Sequence, residues 1–344
     1  MSKSTAKILK QGFAAMLGMC VMTSYTVPAN AAALPSNLNL ASTHKTVIAP
    51  TNISPTLVNV GGHAQLISPG QAITPAESAA LTQILNGGAQ TLNIGIRGNA
   101  VGGSLVLDPG SVLNSIAIPS HVNVLRNFAG SAMNLTGDLT NSGNFYAVST
   151  NLATSTAAIS ALDLTNNRGA LLTSIMPTGA LASAFSGLNP NLSLSLTVAN
   201  KFTNHGTISS AGDLTITGGQ NLLVQNANGS LSANNITIQT TNSGSNNWLS
   251  VIGGNLLSNV LNLNAGVGTL TAAVSNITGL VNVTGTNAHV GAHGANLNLG
   301  DLNVTGDPTF WNTGTITITG SPADFGESIA ILAGQDIKFD TTSN

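Results

Sequence analysis

Along most of the chain, apolar and polar residues alternate in short runs. Leu214-Thr-Ile-Thr-Gly218, Ile236-Thr-Ile-Gln-Thr240, Leu261-Asn-Leu-Asn-Ala265, Val281-Asn-Val-Thr-Gly285, Leu302-Asn-Val-Thr-Gly306, Ile316-Thr-Ile-Thr-Gly320 and Ile337-Lys-Phe-Asp-Thr341 share this form. A period of two places alternate side chains on opposite faces of a strand. The runs start 22, 25, 20, 21, 14 and 21 residues apart, so a unit repeats about every 21 residues. Self-similarity at that period marks a solenoid. Additional short strands, such as Leu196-Thr-Val198 and Thr207-Ile208, fall between turns of Asn, Gly and Ser.

This pattern predicts an all-β fold, a parallel β-helix of about 21 residues per coil over residues 91–344. Val281, Val283, Ile316 and Ile318 are expected inside, and Asn282, Thr284, Thr317 and Thr319 outside. Strand backbone groups then pair with the coils above and below. Asn tolerates the turns and can stack on Asn of the next coil in hydrogen-bonded ladders. Roughly 310 residues beyond the leader would give on the order of 13 coils, spaced about 4.8 Å apart. An antiparallel sandwich would instead need hairpin turns and longer strands.

One segment departs from the strand pattern. Thr74-Pro75-Ala76-Glu77 is a capping box with Pro at the first helical position, followed by Leu81, Ile84 and Leu85 and stopped by Asn86-Gly87-Gly88. It predicts a short capping helix near 75–85, within an N-terminal arm and capping segment spanning 32–90. A weaker helical pattern covers 177–188.

Composition narrows the class. Only 6% of residues are charged and 3% aromatic, while mean hydropathy is +0.28, so the chain is too apolar for a disordered segment. Asparagine makes up about 12% of the residues, which together with 38 glycines disfavours a mainly helical protein. Lys3, Lys7 and Lys10 precede the apolar residues 12–21 and an Ala29-Asn30-Ala31 cleavage pattern, which reads as a Sec signal peptide over 1–31. A lipobox at Leu17-Gly18-Met19-Cys20 competes poorly, because Met before the cysteine is bulky. Cleavage removes Cys20, the sole cysteine, and so excludes an intramolecular disulfide. What remains is net acidic, so no nucleic-acid partner is expected. No later apolar run is long enough to span a membrane.

The stretch 194–219 resembles the repeats of filamentous haemagglutinin-like secreted adhesins. The resemblance rests on alternating leucines followed by an x-N-x-G-x-I turn. Phe202-Thr-Asn204-His-Gly206-Thr-Ile208 carries it, as do Leu139-Thr-Asn141-Ser-Gly143 and Phe310-Trp-Asn312-Thr-Gly314-Thr-Ile316. The resemblance implies a right-handed β-helix, export across a Gram-negative outer membrane with a secretion partner there, and an adhesive role at the cell surface. Such proteins are usually far longer, and those using a dedicated partner carry N-terminal Asn-Pro-Asn motifs. Here Asn189-Pro190-Asn191 stands late and alone. Residues 335–344 read as the start of another coil, the pattern expected of a fragment of a larger reading frame.

Candidate chemistry is sparse. A β-helix can also carry a polysaccharide lyase or glycoside hydrolase, and a hydrolase needs two carboxylates roughly 5–10 Å apart. The acids stand singly through most of the chain; toward its end Asp301 with Asp307 and Asp324 with Glu327 could share a coil face, and solvated turns are the simpler reading. A lyase would want clustered acids beside Arg97, Arg126 or Arg168, and none adjoin them in sequence. His289 and His293 have an i, i+4 spacing that would ligate a metal on a helix, but glycines flank and divide them. The expected set of catalytic, cofactor and metal residues is therefore none. Phe310, Trp311 and Trp248 are candidates for stacking on a glycan ring, with packing as their alternative use. Sequons such as Asn235-Ile-Thr237 follow from strand alternation and composition. The leading expectation is a non-enzymatic, exported, extracellular or surface-attached protein. Its partners would be glycans, surfaces or other chains. A threonine row at Thr315, Thr317 and Thr319 raises an ice-binding solenoid as a further reading, but neighbouring coils carry Asn-x-Thr instead.

Overall fold

The computed structural model describes residues 57–60, 63–66, 91–96, 103–107 and, apart from short gaps, 113–340. These form an all-β parallel solenoid of about 9 turns with about 22 residues per turn. The signal segment, the helix expected near 75–85 and most of 177–188 lie outside the described residues.

Each coil contributes to as many as three ladders. The first stacks Ser193–Asn204, Leu214–Gly218, Asn235–Thr240, Val260–Asn264, Leu280–Gly285 and Asn296–Val304. The second continues from the far half of Ser193–Asn204 through Asn221–Gln225, Trp248–Ile252, Thr269–Val274, Asn287–Ala292, Thr309–Asn312 and Ala330–Ala333. Two long strands, Thr156–Asn166 and Ser193–Asn204, pass round the corner and join both ladders into one sheet. The third is a separate sheet of eight short strands, from Gly103–Leu107 to Asn276–Ile277. Near the N-terminus Leu57–Val60 and His63–Leu66 form an antiparallel pair, after which the pairing is parallel.

Alternation fills the interior. Inward columns run Leu196, Ile216, Ile238, Leu263 in the first ladder and Phe202, Val224, Val251, Ala272, Val290, Phe310 in the second; all are buried. Phe145, Leu172, Ile208, Leu231 and Leu256 do the same in the third. Each such side chain removed from water contributes about 1.5–3 kcal/mol.

Two expectations change. The period is not uniform: the step from Asn166 to Asn204 takes 38 residues, and both sides of the added stretch stay in the rod, since the Ser174 amide donates to Ser209 O and Leu192 is fully buried. The 14-residue interval between Leu302 and Ile316 is not a coil. Ile316 pairs with Leu297 and Ile318 with Leu299, and a register shift lies between the Leu299 and Leu302 pairings. The repeated Leu-Asn pattern within Asn296–Val304 disguised this register in the sequence.

The x-N-x-G turn has a physical meaning inside the rod. Asn141 and Asn204 of x-N-x-G turns, together with Asn166 and Asn226 of N-x-x-G turns, are fully buried and stacked. Asn141 Nδ2 donates to Asn166 Oδ1 at 2.8 Å, Asn166 Nδ2 to Asn204 Oδ1 at 2.8 Å, and Asn204 Nδ2 to Asn226 Oδ1 at 2.7 Å. The same nitrogens also reach the carbonyls of Leu171, Thr207, Ser230 and Asn255. The Gly143 and Gly206 amides donate to Asn141 and Asn204 Oδ1. Glycine two positions on also makes room: a Cβ at Gly206 would come within 2.8 Å of Asn166 Nδ2. The asparagine ladder was anticipated at turns; it lies within the core, where complete pairing offsets the desolvation of each amide.

Candidate binding surfaces

The outer side of the first ladder is polar and repetitive. Ser195, Thr215, Thr237, Asn262 and Asn282 form one column, and Thr197, Thr217, Gln239, Asn264 and Thr284 a second, two residues along. Strand alternation makes these the outward positions, all half-buried or exposed except Thr217, which is covered beneath Gln239, and the coil spacing repeats them about every 4.8 Å. Amides within the columns bind one another: Asn282 Nδ2 donates to Asn262 Oδ1 at 2.9 Å and Asn262 Nδ2 to Thr237 Oγ1 at 3.3 Å. Such bonds hold the side chains in fixed positions and leave the remaining lone pairs and hydroxyls facing solvent. No shared Thr-x-Thr pattern runs down these columns: the coil of Thr237 carries Gln239, and the coil of Asn262 carries Asn264.

The outer side of the second ladder has a different character. One of its columns runs Gln225, Ile252, Ala273, Gly291, Trp311 and Leu332. Trp248 stands elsewhere on this face, 39% exposed, beside Thr269. Of the three aromatics singled out in the sequence, Phe310 is fully buried and has no open ring face. Its neighbour Trp311 points outward by alternation. Trp248 and Trp311 are three coils and four residues apart, roughly 20 Å, so they are separate features of one face.

Trp311 sits where the Gly291 side chain would be. A Cβ on Gly291 would overlap the indole, with Cε2, Nε1 and Cδ2 as its nearest atoms. His293 meets the same ring edge-on, with centroids 4.9 Å apart and planes at 66°. His289 lies in register with Thr309 on the adjoining column. His289 lies on the strand Asn287–Ala292 and His293 just past its end, so extended backbone rather than one helical turn separates them, roughly 13 Å between Cα atoms. Among the described residues no group of three or more His, Cys, Asp or Glu is placed to hold a metal ion.

Sequence distance concealed one juxtaposition. Asp138 and Asp163 occupy matching places on adjacent coils, with Lys201 in register on the next. The Asp163 amide donates to Asp138 Oδ1 at 3.2 Å, and Asp163 Oδ1 is enclosed without a hydrogen-bond partner. The regular alternating runs begin at Leu214, so the sequence period does not extend to the register that brings these acids together. By contrast, Asp301 and Asp307 are exposed; the Asp301 amide donates to Asn282 Oδ1 and Asp307 Oδ1 accepts from the Ser328 amide. Asp324 and Glu327 lie outside the described residues.

The chain matches no known family model, no curated protein and no solved structure. The geometry therefore carries the functional argument. Among the described residues no helix is long and apolar enough to cross a membrane.

Proposed function

We propose that this chain is an exported, adhesin-like structural β-solenoid that binds glycans, surfaces or other chains through its outer faces. It acts by holding partners in place, not by turning them over. The observation that carries this reading is the pair of outward columns from Ser195 to Thr284, where hydroxyls and amides recur in register on successive coils. Each contact made by such a group is weak, and many similar polar contacts along one rod multiply into useful avidity. Trp311 and Trp248 add aromatic faces to the neighbouring side. The leader-like residues 1–31 and the x-N-x-G turns favour Sec export and a filamentous haemagglutinin-like role at the cell exterior, with an outer-membrane secretion partner.

A polysaccharide lyase or hydrolase is the second reading, and the Asp138–Asp163 adjacency is the observation in its favour. One experiment separates the two. The purified chain is tested on a polysaccharide panel for binding and, in parallel, for release of reducing ends or unsaturated uronates. Retention without product supports the adhesive reading. Product that disappears in Asp163→Asn would replace it with the enzymatic one.

A further inference from the structure

Resting on the glycan-binding reading, we infer that Trp311 is a discrete stacking subsite for a neutral pyranose, seated by Gly291 and oriented along the rod. The indole covers the position of the Gly291 side chain, so one ring face is backed by backbone. Trp311 is half-buried, and the exposed Leu332 stands in register with it on the following coil, adding an apolar border to the platform. An extended strand has no need of glycine at 291, and Gly weakens a strand interior. Its absent side chain is what lets the ring lie down. His293 braces the ring edge at 4.9 Å between centroids, which fixes the platform before any ligand arrives.

The surroundings select the ligand. Ala273, on the coil before Gly291, continues the low track along the axis. His289 and Thr309, paired on the adjoining column, offer hydrogen-bonding groups beside the platform. An aromatic face flanked by such groups matches a pyranose, with its apolar C–H face and its equatorial hydroxyls. Charge decides between sugar classes. Lys201 heads the column of His289 and Thr309 but is five coils from Thr309, roughly 24 Å, and Lys338 on the following coil belongs to the first ladder, paired with Thr317. Asp307, by contrast, lies two residues before Thr309 on the same segment. Among the described residues of this ladder around Trp311, a uronate would meet an acid and no lysine or arginine, whereas a neutral hexose meets no opposing charge.

The test uses the full chain carrying Trp248→Phe, so that Trp311 is its only indole. Its fluorescence is titrated with a soluble neutral glucan and, separately, with polygalacturonate of similar length. The neutral glucan should shift and saturate the emission, and polygalacturonate should not. Trp311→Ala, made in the native chain, should weaken retention on the immobilised glucan about tenfold, the size expected for loss of one aromatic contact. Gly291→Ala should do the same while keeping the indole, because its new methyl lifts the ring from its seat; thermal melts confirm that both variants fold. If Trp311→Ala retains full binding to the glucan, the subsite is wrong while the adhesive reading stands. If polygalacturonate is preferred, the charge argument is wrong. If the native chain binds no member of the glycan panel, the subsite and the glycan-binding reading both fall.

Discussion

The same inward column is filled in two ways along the rod. In the N-terminal coils it holds Asn141, Asn166, Asn204 and Asn226; nearer the C-terminus it holds Val274, Ala292 and then Asn312. The first solution is polar and continuous, since every amide donates to the next asparagine or to a carbonyl ahead of it. The second is apolar with one isolated amide: Asn312 Nδ2 donates to Thr315 O, while Oδ1 is buried without a partner. A buried amide is tolerated when its neighbours complete it, so stability in the first region depends on continuity and in the second on side-chain volume.

The sharpest way to break that contrast is to remove one rung. Asn204→Leu keeps a similar volume but strips Asn166 Nδ2 of an acceptor and Asn226 Oδ1, Ser230 O and the Gly206 amide of their partners. Urea unfolding should show a loss of roughly 3–5 kcal/mol, the range for a broken buried network. Asn312→Leu removes one bond and one unpaired oxygen, and should change stability by about 1 kcal/mol or less. Equal losses at the two sites would show that the ladder has no cooperative role.

Two glycines sharpen the comparison at the next level. Gly206 has no positive φ but stands against the ladder, where a methyl group would overlap Ala170 O and lie 2.5 Å from Asn167 O. Gly206→Ala should cost about 2–3 kcal/mol by displacing the turn and its asparagine. Gly169 lies in a turn of the same region with φ +78° and open space around its missing Cβ. Gly169→Ala should cost only about 1 kcal/mol, from left-handed backbone strain. Thermal melts of the two variants rank crowding against conformation. The reverse order would mean that the ladder yields easily to a methyl group.

These contrasts show which features can be read from residue order alone. Strand alternation marks Val281 and Val283 as inward and Asn282 as outward, because the period of two is local. The parallel rod follows from the repeat, since successive similar segments can share one interior only by stacking. The inward turn of Asn141 and Asn204 is not local. The x-N-x-G string shows a turn, but whether its amide faces water or the core depends on the asparagine one coil away. The 38-residue step from Asn166 to Asn204 and the slipped pairing of Leu297 with Ile316 break the interval on which such reasoning relies. At the candidate surfaces, alternation alone separates outward Trp311 from inward Phe310, neighbours in sequence that face opposite sides of one strand. The seat at Gly291 and the adjacency of Asp138 with Asp163 require the register, which places residues 20 and 25 apart on neighbouring coils.

The smallest expected effect concerns the outer side of the N-terminal coils. Tyr146 stands between Leu125 and Thr173 on the third ladder, and burial raises its phenol above the ordinary value of 10.0. The unfolded chain therefore releases this proton first as pH rises, so the folded state binds more protons above about pH 10. Stability should be independent of Tyr146 below that pH and should fall above it, until the folded-state phenol ionises as well. The only other tyrosine is Tyr25, in the leader-like segment, so the coils beyond residue 150 contain no phenol to titrate. Urea midpoints measured between pH 8 and pH 11 should decline at the alkaline end in the native chain and decline less in Tyr146→Phe. An unchanged alkaline slope in that variant would move the sensitivity elsewhere and remove this difference between the two halves of the rod.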